Sequence, residues 1–386
     1  MKRNKHILVA PLNWGLGHAT RCIPIINALL SQNYKVTIAS DGDALRLLKK
    51  EFPKLSFVSL PSYKIEYAEK GKNFKRKLIS NLPSIRKSIR SEHKELKKLI
   101  PALNIDGVIS DNRLGLYTNQ VPCVIISHQL QVLSGSTTKI STAIHKKYIE
   151  RFNECWVPDF DGTFNLSGIL GHPDKNLSIP TRYIGPLSRM KSKPEEIKYT
   201  ATAVLSGPEP QRSMLEEIIT KNFKKLNGQF LIVRGKPEEE KTITQTKPNI
   251  KVINFLTTRE LEKVINQSGY IIARSGYTTI MDLAVMKKKA FFIPTPGQSE
   301  QEYLAALLKE NKIAPFAVQD EFKTKDLSKM SVYPGFEQAI ESSCLLDNFG
   351  LFEREREFRP HTKFAFNINF LLVRLNDMFN NREPQT

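Results

Sequence analysis

The sequence predicts an α/β protein built from two doubly wound parallel-sheet domains, and three observations carry this prediction. Short apolar runs alternate with segments of helical periodicity, which is the pattern of βαβ units. The alternation stops over residues 186–200 and then begins again. The chain has 386 residues, which is too long for one ordinary domain. We therefore expect two Rossmann-like domains that face each other across a cleft.

The elements of the first domain lie in residues 1–185. "HILVAPL" has the continuous apolar run of a parallel strand buried on both faces, and the helical spacing of "ATRCIPIINALLSQN" follows it. The remaining predicted elements are the helix "DALRLLKKEF" and the strands "KVTIAS", "LSFVSLP", "DGVISD", "PCVIIS" and "ECWVPD".

A linker separates this domain from the second one. Gly185-Pro186 and the polar, lysine-rich run after it predict a hinge over 186–200. The second domain, 201–345, is predicted from the strands and helices that alternate from "TAVLSG" to "EQEYLAALLKEN". Residues 346–386 form the closing segment, in which "FAFNINFLLVRLNDMF" is apolar enough to pack as a helix.

Composition favours an ordinary globular protein of the cytoplasm. The chain is 40% hydrophobic and 25% charged, and its four cysteines form no C-x-x-C pair. This pattern argues against a disulfide scaffold and against a zinc site. No apolar run approaches the roughly 20 residues that a spanning helix needs. A peripheral position on the inner face of the membrane is the second expectation.

The net charge of +19 is concentrated in the first half of the chain. Within the basic stretch "KGKNFKRKLISNLPSIRKSIRSEHKELKKLI", apolar residues recur at helical spacing at Leu82, Ile85, Ile89, Leu96 and Leu99. The spacing predicts a helix that packs one face on its own sheet. The basic face suits either plain solvation or contact with an anionic membrane surface. No nucleic-acid-binding motif is present, so we expect no nucleic-acid partner.

Ligands of doubly wound sheets bind beyond the carboxyl ends of the strands, so the residues there are the candidates for chemistry. In "NWGLGHATR", Gly15 and Gly17 flank Leu16 and are followed by His18, whose side chain titrates near neutral pH. Asp111 ends the strand "DGVISD", and His128 follows the strand "PCVIIS". His18 is the predicted base, while Asp111 either orients His18, acts as the base itself or merely caps a turn.

The second domain carries a separate constellation in "ARSGYTTIMDLAVMKKKAFFIPTPGQSEQEYLAALL". A strand runs into the turn Ser275-Gly276, and a helix starts near Thr278, which is a ready site for a diphosphate. Asp282 lies one helical turn after Thr278 and can face the same ligand. The amides and carboxylates of the loop "TPGQSEQEY" suit a ligand rich in hydroxyl groups.

The order "RSG…TT…D…P…Q-E-Y" resembles the donor-binding half of the GT-B glycosyltransferases of family 28. That group includes the enzyme that adds N-acetylglucosamine to the peptidoglycan lipid precursor and the plastid galactolipid synthases. "LNWGLGHATR" resembles the glycine-rich loop near the N-terminus of these enzymes, with Gly15, Gly17 and His18 matching. Their second loop corresponds to "SGPEPQR". The whole chain also looks like a less characterised bacterial branch of the family.

The resemblance implies a role for each matching residue. The backbone of Phe255 and Leu256 would bind the nucleobase, Asp282 the ribose, and Gln301 and Glu302 the sugar. Asp282 stands where the family usually has glutamate, and Glu302 where it often has a second glutamine. The residues implied at the diphosphate are Ser206, Gly207, Arg274, Ser275, Gly276, Thr278 and Thr279. His128 would line the acceptor site.

The implied activity is inverting transfer of a hexose-type sugar from a nucleoside diphosphate, with uridine favoured, to an acceptor hydroxyl. The basic face of the predicted helix, rather than the resemblance, suggests that this acceptor is lipid-linked or membrane-associated. The resemblance implies no cofactor and no obligatory metal. Two alternatives stay open. One is a nucleotide-sugar 2-epimerase-like isomerase, which shares the fold. The other is a non-catalytic nucleotide-sugar-binding protein.

Overall fold

The computed structural model of the chain describes residues 3–63, 74–236, 241–341 and 378–379, without the side chains of 74–82. The chain divides into two compact units. Of the described residues, those within 3–161 and 167–189 and residues 378–379 belong to unit 1, and those within 162–166 and 190–341 belong to unit 2. The change from unit 1 to unit 2 after Arg189 falls inside the predicted linker. The closing segment 346–386 lies outside the described residues, except for Met378 and Phe379.

Unit 1 contains a seven-stranded sheet in the order β3-β2-β1-β4-β5-β6-β7, and every neighbouring pair is parallel. Its strands are β1 His6–Pro11, β2 Lys35–Ser40, β3 Ser56–Ser59, β4 Gly107–Asp111, β5 Cys123–Ile126, β6 Glu154–Val157 and β7 Thr181–Tyr183. Its α-helices are α1 Gly17–Ser31, α2 Gly42–Glu51, α3 Phe74–Leu103 and α4 Thr138–Ile149. The prediction of a doubly wound parallel sheet is confirmed.

Two elements of unit 1, strand β7 and helix α4, were not predicted from the sequence. Strand β7 has three half-buried residues at the edge of the sheet, so it shows no continuous apolar run. Helix α4 leaves Ile140 and Ile144 exposed and buries only Ile149 fully. Ile140, Ile144 and Tyr148 nevertheless recur four residues apart, so helical spacing was the signal available in the sequence.

Helix α3 carries the basic stretch and confirms the predicted packing where side chains are described. Leu96 lies in the main core of unit 1 with Leu99 packed against it, and Ile89 lies in a second cluster beside Ile85. Leu82 lies outside the residues whose side chains are described. The opposite face exposes basic side chains at Arg86, Lys87, Arg90, Lys94, Lys97 and Lys98.

Unit 2 contains a six-stranded sheet in the order β10-β11-β9-β8-β12-β13. Its strands are β8 Tyr199–Val204, β9 Phe230–Val233, β10 Ile243–Lys247, β11 Ile250–Ile253, β12 Ser268–Ala273 and β13 Ala290–Phe292. Its α-helices are α5 Gln211–Phe223, α6 Thr258–Asn266, α7 Tyr277–Val285 and α8 Ser299–Glu310. All pairs are parallel except β10 with β11, and β10 was not predicted because its five residues are all exposed.

The strand orders bring the candidate loops together within each unit. In unit 1, β1, β4 and β5 are neighbours, so the segments carrying His18, Asp111 and His128 leave one edge of the sheet side by side. In unit 2, β8, β12 and β13 are neighbours in the same way. Within the described ranges, no helix is long and apolar enough to cross a membrane.

Candidate functional site

The first candidate site is built on the carboxyl ends of β1, β4 and β5. His18 Nδ1 lies 3.0 Å from Asp111 Oδ1, although the two residues come from different strand ends. Asp111 is the last residue of β4 and is fully buried, while the His18 side chain keeps 13% of its surface exposed. Both residues were predicted from the sequence, and in the structure they form a hydrogen-bonded pair.

His18 lies in the first turn of α1, which begins two residues earlier than the sequence suggested. The reason is that Gly15 makes the turn with φ of 74°, and Leu16 already has helical backbone angles. Gly17 is therefore the first helical residue, and its carbonyl accepts a hydrogen bond from the Thr20 hydroxyl at 3.0 Å. The helix, rather than a loop, holds His18 in place.

Arg21 is a member of this cluster that the sequence analysis did not assign. Its guanidinium donates to both carboxylate oxygens of Asp111, with Nε lying 2.6 Å from Oδ2. It also reaches His18 Nδ1 at 2.8 Å and His128 Nδ1 at 3.3 Å. The spacing of three residues from His18 was the available signal, because such residues share a helix face.

The charges of the cluster determine which groups are ionised. Burial alone would raise the pKa of Asp111, but the adjacent Arg21 and His18 outweigh it and hold that pKa well below its ordinary value. Burial lowers the pKa of His18, the charge of Arg21 lowers it further, and Asp111 opposes both. Asp111 is therefore a carboxylate and His18 a neutral imidazole at pH 7.

These ionisation states assign the tautomer of His18 from its hydrogen-bond partners. A carboxylate has no proton to donate, so Nδ1 of His18 carries the hydrogen that Asp111 Oδ1 accepts. Arg21 Nη2 and His18 Nδ1 are then two donors that converge on the same oxygen. The lone pair of His18 is left on Nε2, which can accept a proton from a hydroxyl group.

His128 lies beside the cluster but deeper in the fold, with 5% of its surface exposed. Its Nδ1 faces the guanidinium of Arg21. Its burial beside Arg21 suits a residue that supports the cluster better than one that contacts a ligand directly. Its predicted contact with an acceptor stays a prediction.

A second buried ion cluster supports the start of the same loop. Arg113 Nη1 donates to Glu92 Oε1 at 2.6 Å and its Nη2 donates to Asp41. Asp41 in turn accepts from Asn13 Nδ2 at 3.3 Å. Buried charges need partners of this kind. The network ties α3 and the end of β2 to Asn13, the residue that opens the glycine loop.

The second candidate site is built on the carboxyl ends of β8, β12 and β13 in unit 2. The turn Ser275-Gly276 joins β12 to α7, which begins at Tyr277. A Cβ atom at Gly276 would meet no atom within 4 Å among the described residues, so this side of the turn is open. The first N–H groups of α7 have no partner within the helix, and an anion can accept from them.

The side chains of this turn serve the protein itself. Ser275 Oγ donates to the carbonyl of Gln301 at 2.7 Å. Arg274 is 1% exposed and donates to the carbonyls of Ile293 and Pro294 and to Gln319 Oε1. Both side chains bond within the protein, so the backbone of the turn is the more accessible part for a ligand. The predicted contact of these two side chains with a diphosphate stays a prediction.

Gln301 and Glu302 lie in the first turn of α8 and close the loop that precedes it. Gln301 Oε1 accepts from the Thr295 N–H at 2.9 Å, and its amide nitrogen donates to Gln298. Glu302 Oε1 accepts from the Gly297 N–H at 2.9 Å. Both side chains shape the loop, and a sugar would have to share or replace these bonds.

The loop after β8 supplies free backbone donors. Ser206 and Gly207 are exposed, and their N–H groups donate to no acceptor among the described residues. Gly207 has φ of 100°, and a Cβ atom there would lie 3.7 Å from Thr295 Oγ1. That hydroxyl is buried, and it has no hydrogen-bond partner in the described part of the chain. Thr295, which the sequence analysis did not assign, thus marks the meeting point of the β8 and β13 loops.

The remaining predicted donor residues lie on the same edge of the sheet. Thr278 and Thr279 are half-buried in the first turn of α7, and Asp282 follows one turn later. Phe255 and Leu256 follow β11, which is separated from β8 by β9. The N–H of Phe255 is held by Asn254 Oδ1 at 3.0 Å, so its carbonyl is the backbone group open to a base. The roles of these five residues stay predictions.

No group of three or more His, Cys, Asp or Glu side chains within the described ranges is placed to hold a metal ion. The expectation of a metal-independent reaction is not settled by this observation and stays a prediction.

Comparison with known proteins shows a family match over part of the chain and distant relatives over most of it. Residues 203–331 match the profile of the glycosyltransferase family 28 C-terminal domain. The chain is 22% identical over 324 residues to an uncharacterized glycosyltransferase of Methanosarcina acetivorans, covering 77% of this chain and 81% of that protein. It is 21% identical over 311 residues to the UDP-N-acetylglucosamine–N-acetylmuramyl-(pentapeptide) pyrophosphoryl-undecaprenol N-acetylglucosamine transferase of Pasteurella multocida, covering 79% and 81%.

Solved structures show the same fold at lower identity. The crystal structure of the glycosyltransferase SnogD from Streptomyces nogalater superimposes with a TM-score of 0.60 at 13% identity, covering 88% of this chain and 94% of that one. The two parallel-sheet units therefore match the GT-B architecture.

Proposed function

We propose that the chain moves a hexose-type sugar from UDP to an acceptor hydroxyl with inversion at the anomeric carbon. The match of residues 203–331 to the family 28 C-terminal domain, the distant glycosyltransferase relatives and the GT-B fold support this proposal. The observation that carries the proposal is the pairing of His18 with Asp111 at the carboxyl edge of the unit 1 sheet. The name of the Pasteurella relative supports UDP as the nucleotide.

In the proposed reaction, the acceptor oxygen attacks the anomeric carbon and His18 Nε2 takes the proton from that hydroxyl. The bond from the anomeric carbon to the diphosphate oxygen breaks, and UDP leaves with the bonding electrons. Asp111 holds the Nδ1–H of His18 and stabilises the imidazolium that forms. A positioned base of this kind contributes about 10²–10⁴-fold to the rate.

The leaving diphosphate gains negative charge, and unit 2 supplies donors for it. We assign this role to the backbone N–H groups of Ser206 and Gly207 and to those at the start of α7. Preorganised donors of this kind stabilise charge in the transition state without reorganising. The reaction as proposed needs no divalent metal, so activity is expected to persist in EDTA.

The basic face of α3 supports a membrane-associated acceptor. Arg90, Lys94 and Lys97 lie exposed on one helical face, and each basic residue near an anionic surface contributes about 1 kcal/mol of attraction. We therefore propose an acceptor hydroxyl carried by a lipid or by a membrane-bound molecule.

The test measures UDP release from a panel of UDP-sugars by the wild type and by the variants His18→Ala and Asp111→Asn. Both variants are expected to lose about 10²-fold or more in turnover. His93→Ala and Asp43→Asn are the matched controls, since His93 stacks on Tyr117 and Asp43 is exposed. Turnover near wild type in both site variants would overturn the proposed base.

The same assay separates the alternatives. Conversion of a UDP-sugar to an isomer without UDP release would favour the 2-epimerase-like isomerase. A thermal shift with nucleotide sugars but no turnover of any kind would favour a non-catalytic binding protein. Either result would overturn the proposed transfer.

A further inference from the structure

Arg21 is the buried cation at the centre of the unit 1 site. Its side chain is 2% exposed, and its guanidinium contacts three functional groups at once: Asp111, His18 and His128. A buried guanidinium needs partners for all of its N–H groups, and a carboxylate can satisfy only some of them. Here it also lies against both histidines, so its position bears on the chemistry of the cluster.

The contact with Asp111 is a fork in which one guanidinium binds both carboxylate oxygens. Such bidentate pairs restrict the orientation of the carboxylate as well as its charge. Asp111 can then offer Oδ1 to His18 Nδ1 in only one direction. The fork therefore orients the carboxylate oxygen that accepts the hydrogen of His18 Nδ1.

The contact with His18 acts through charge. The groups that face His18 are Arg21 from its own helix, Asp111 from β4 and His128 from the segment after β5. Cys22 adds a weak Sγ–H contact to Asp111 Oδ2 at 3.7 Å. Asp111 attracts a proton to His18, whereas Arg21 opposes one. Without Arg21 the carboxylate would act alone, and the imidazole would hold a proton more tightly.

We propose that Arg21 is a positioning residue for the transfer reaction: its fork on Asp111 and its contact with His18 keep the imidazole neutral, with Nε2 free to accept the proton of the acceptor. The inference rests on the proposed function for its catalytic consequence. Its structural part, the control of His18 by Arg21, can be tested without any substrate.

The first measurement is an NMR titration of His18 in protein with ¹⁵N-labelled histidine, with the resonance assigned from the spectrum of His18→Gln. In Arg21→Met, the pKa of His18 is expected to rise and the protonated Nδ1 signature of the neutral form to be lost at pH 7. Arg21→Lys keeps the charge but loses the fork, so a smaller rise is expected. Arg46→Gln removes an exposed arginine of the same unit and is expected to change nothing.

The second measurement is the pH dependence of UDP release. Arg21→Met is expected to move the acid limb to higher pH and to lower kcat at pH 7 by about 10–100-fold. The KM for the UDP-sugar should stay within about twofold, because the donor residues lie in unit 2. If Arg21 controls the protonation of His18, raising the pH should restore most of the lost kcat. If Arg21 only supports the fold, raising the pH should not restore it.

Arg21 is buried, so Arg21→Met is accepted for these measurements only if its far-UV spectrum and cooperative melting match the wild type. If it does not fold, Arg21→Lys alone decides the question by the same two readouts. A folded variant in which His18 titrates as in the wild type would overturn the proposal. If the wild type releases UDP from no sugar donor, the proposed function fails, and the titration still tests the control of His18 by Arg21.

Discussion

His18 and Asp111 lie 93 residues apart in the sequence, and their side chains meet at 3.0 Å between Nδ1 and Oδ1. The pairing depends on β1 and β4 being adjacent parallel strands, with Pro11 opposite Asp111. A carboxylate behind a histidine orients the ring and stabilises its protonated form, which is the arrangement that a general base requires.

The pH dependence of the wild-type reaction follows from the environment of His18. Burial and Arg21 lower its pKa from the ordinary 6.5, so the base is available below that pH. A lowered pKa keeps the imidazole of His18 neutral down to a lower pH, and the neutral imidazole is the form that can accept a proton. We expect kcat/KM to stay level through neutral pH and to fall only below about pH 6.5. An acid limb at or above that pH would contradict the assignment of His18.

Arg274→Met is expected to destabilise unit 2. The substitution leaves the carbonyls of Ile293 and Pro294 and the Gln319 side chain without their buried donor. We expect a loss of about 2–4 kcal/mol in the free energy of unfolding. Chemical denaturation measures it, and Arg259→Met on the exposed side of α6 is the control. A loss of donor affinity without a loss of stability would show instead that Arg274 binds the ligand.

Gly207→Ala is expected to weaken donor binding. At φ of 100° an alanine is strained, so the loop would move its N–H groups, at a cost of about 1–3 kcal/mol. The KM for the UDP-sugar should rise about tenfold while the rate at saturation changes less. Gly162→Ala has a comparable positive φ of 145° and open surroundings, and its KM should match the wild type. Equal KM values in the two variants would remove Gly207 from the donor site.

The variant Thr295→Val distinguishes a ligand-binding role of Thr295 from a structural one. A binding role predicts a higher KM, and a structural role predicts a lower melting temperature. The hydroxyl has no partner in the described part of the chain, so its removal should leave the melting temperature unchanged or raise it. If the donor diphosphate, once seated on the Gly207 loop, accepts from this hydroxyl, its KM should rise about tenfold or more. Thr295→Ser keeps the hydroxyl and should bind the donor normally. A lower melting temperature with unchanged KM would assign Thr295 to the core.

The basic face of α3 should bind anionic membranes. We expect co-sedimentation with vesicles that contain phosphatidylglycerol at low salt, and its loss in the combined variant Arg90→Glu and Lys94→Glu. Binding should weaken as salt rises, because exposed charges are screened beyond about 8 Å at physiological ionic strength. Vesicles of phosphatidylcholine alone are the control. Equal binding by the wild type and the combined variant would exclude this face as the contact.

The fold class was predictable because its signals are local. Apolar runs mark buried parallel strands, helical spacing marks the helices between them, and the gap over 186–200 marks the change of unit. The strands β7 and β10 are exceptions, because they bury too little of their own surface to leave an apolar pattern. Helix α4 was also not predicted, although Ile140, Ile144 and Tyr148 recur at helical spacing. The location of the candidate residues was also predictable, since the carboxyl ends of parallel strands share one edge of a sheet.

The sequence by itself determined which residue types stand at the strand ends, including His18, Asp111 and the Ser275-Gly276 turn. Only the tertiary structure decided where their side chains point. Arg274, predicted at the ligand, turns inward because Gln319, 45 residues away, and two loop carbonyls offer it buried acceptors. Arg21 joins the site because Asp111, 90 residues away, needs a cation once it is buried. Such pairings depend on chain segments that meet only on folding, so no local pattern records them.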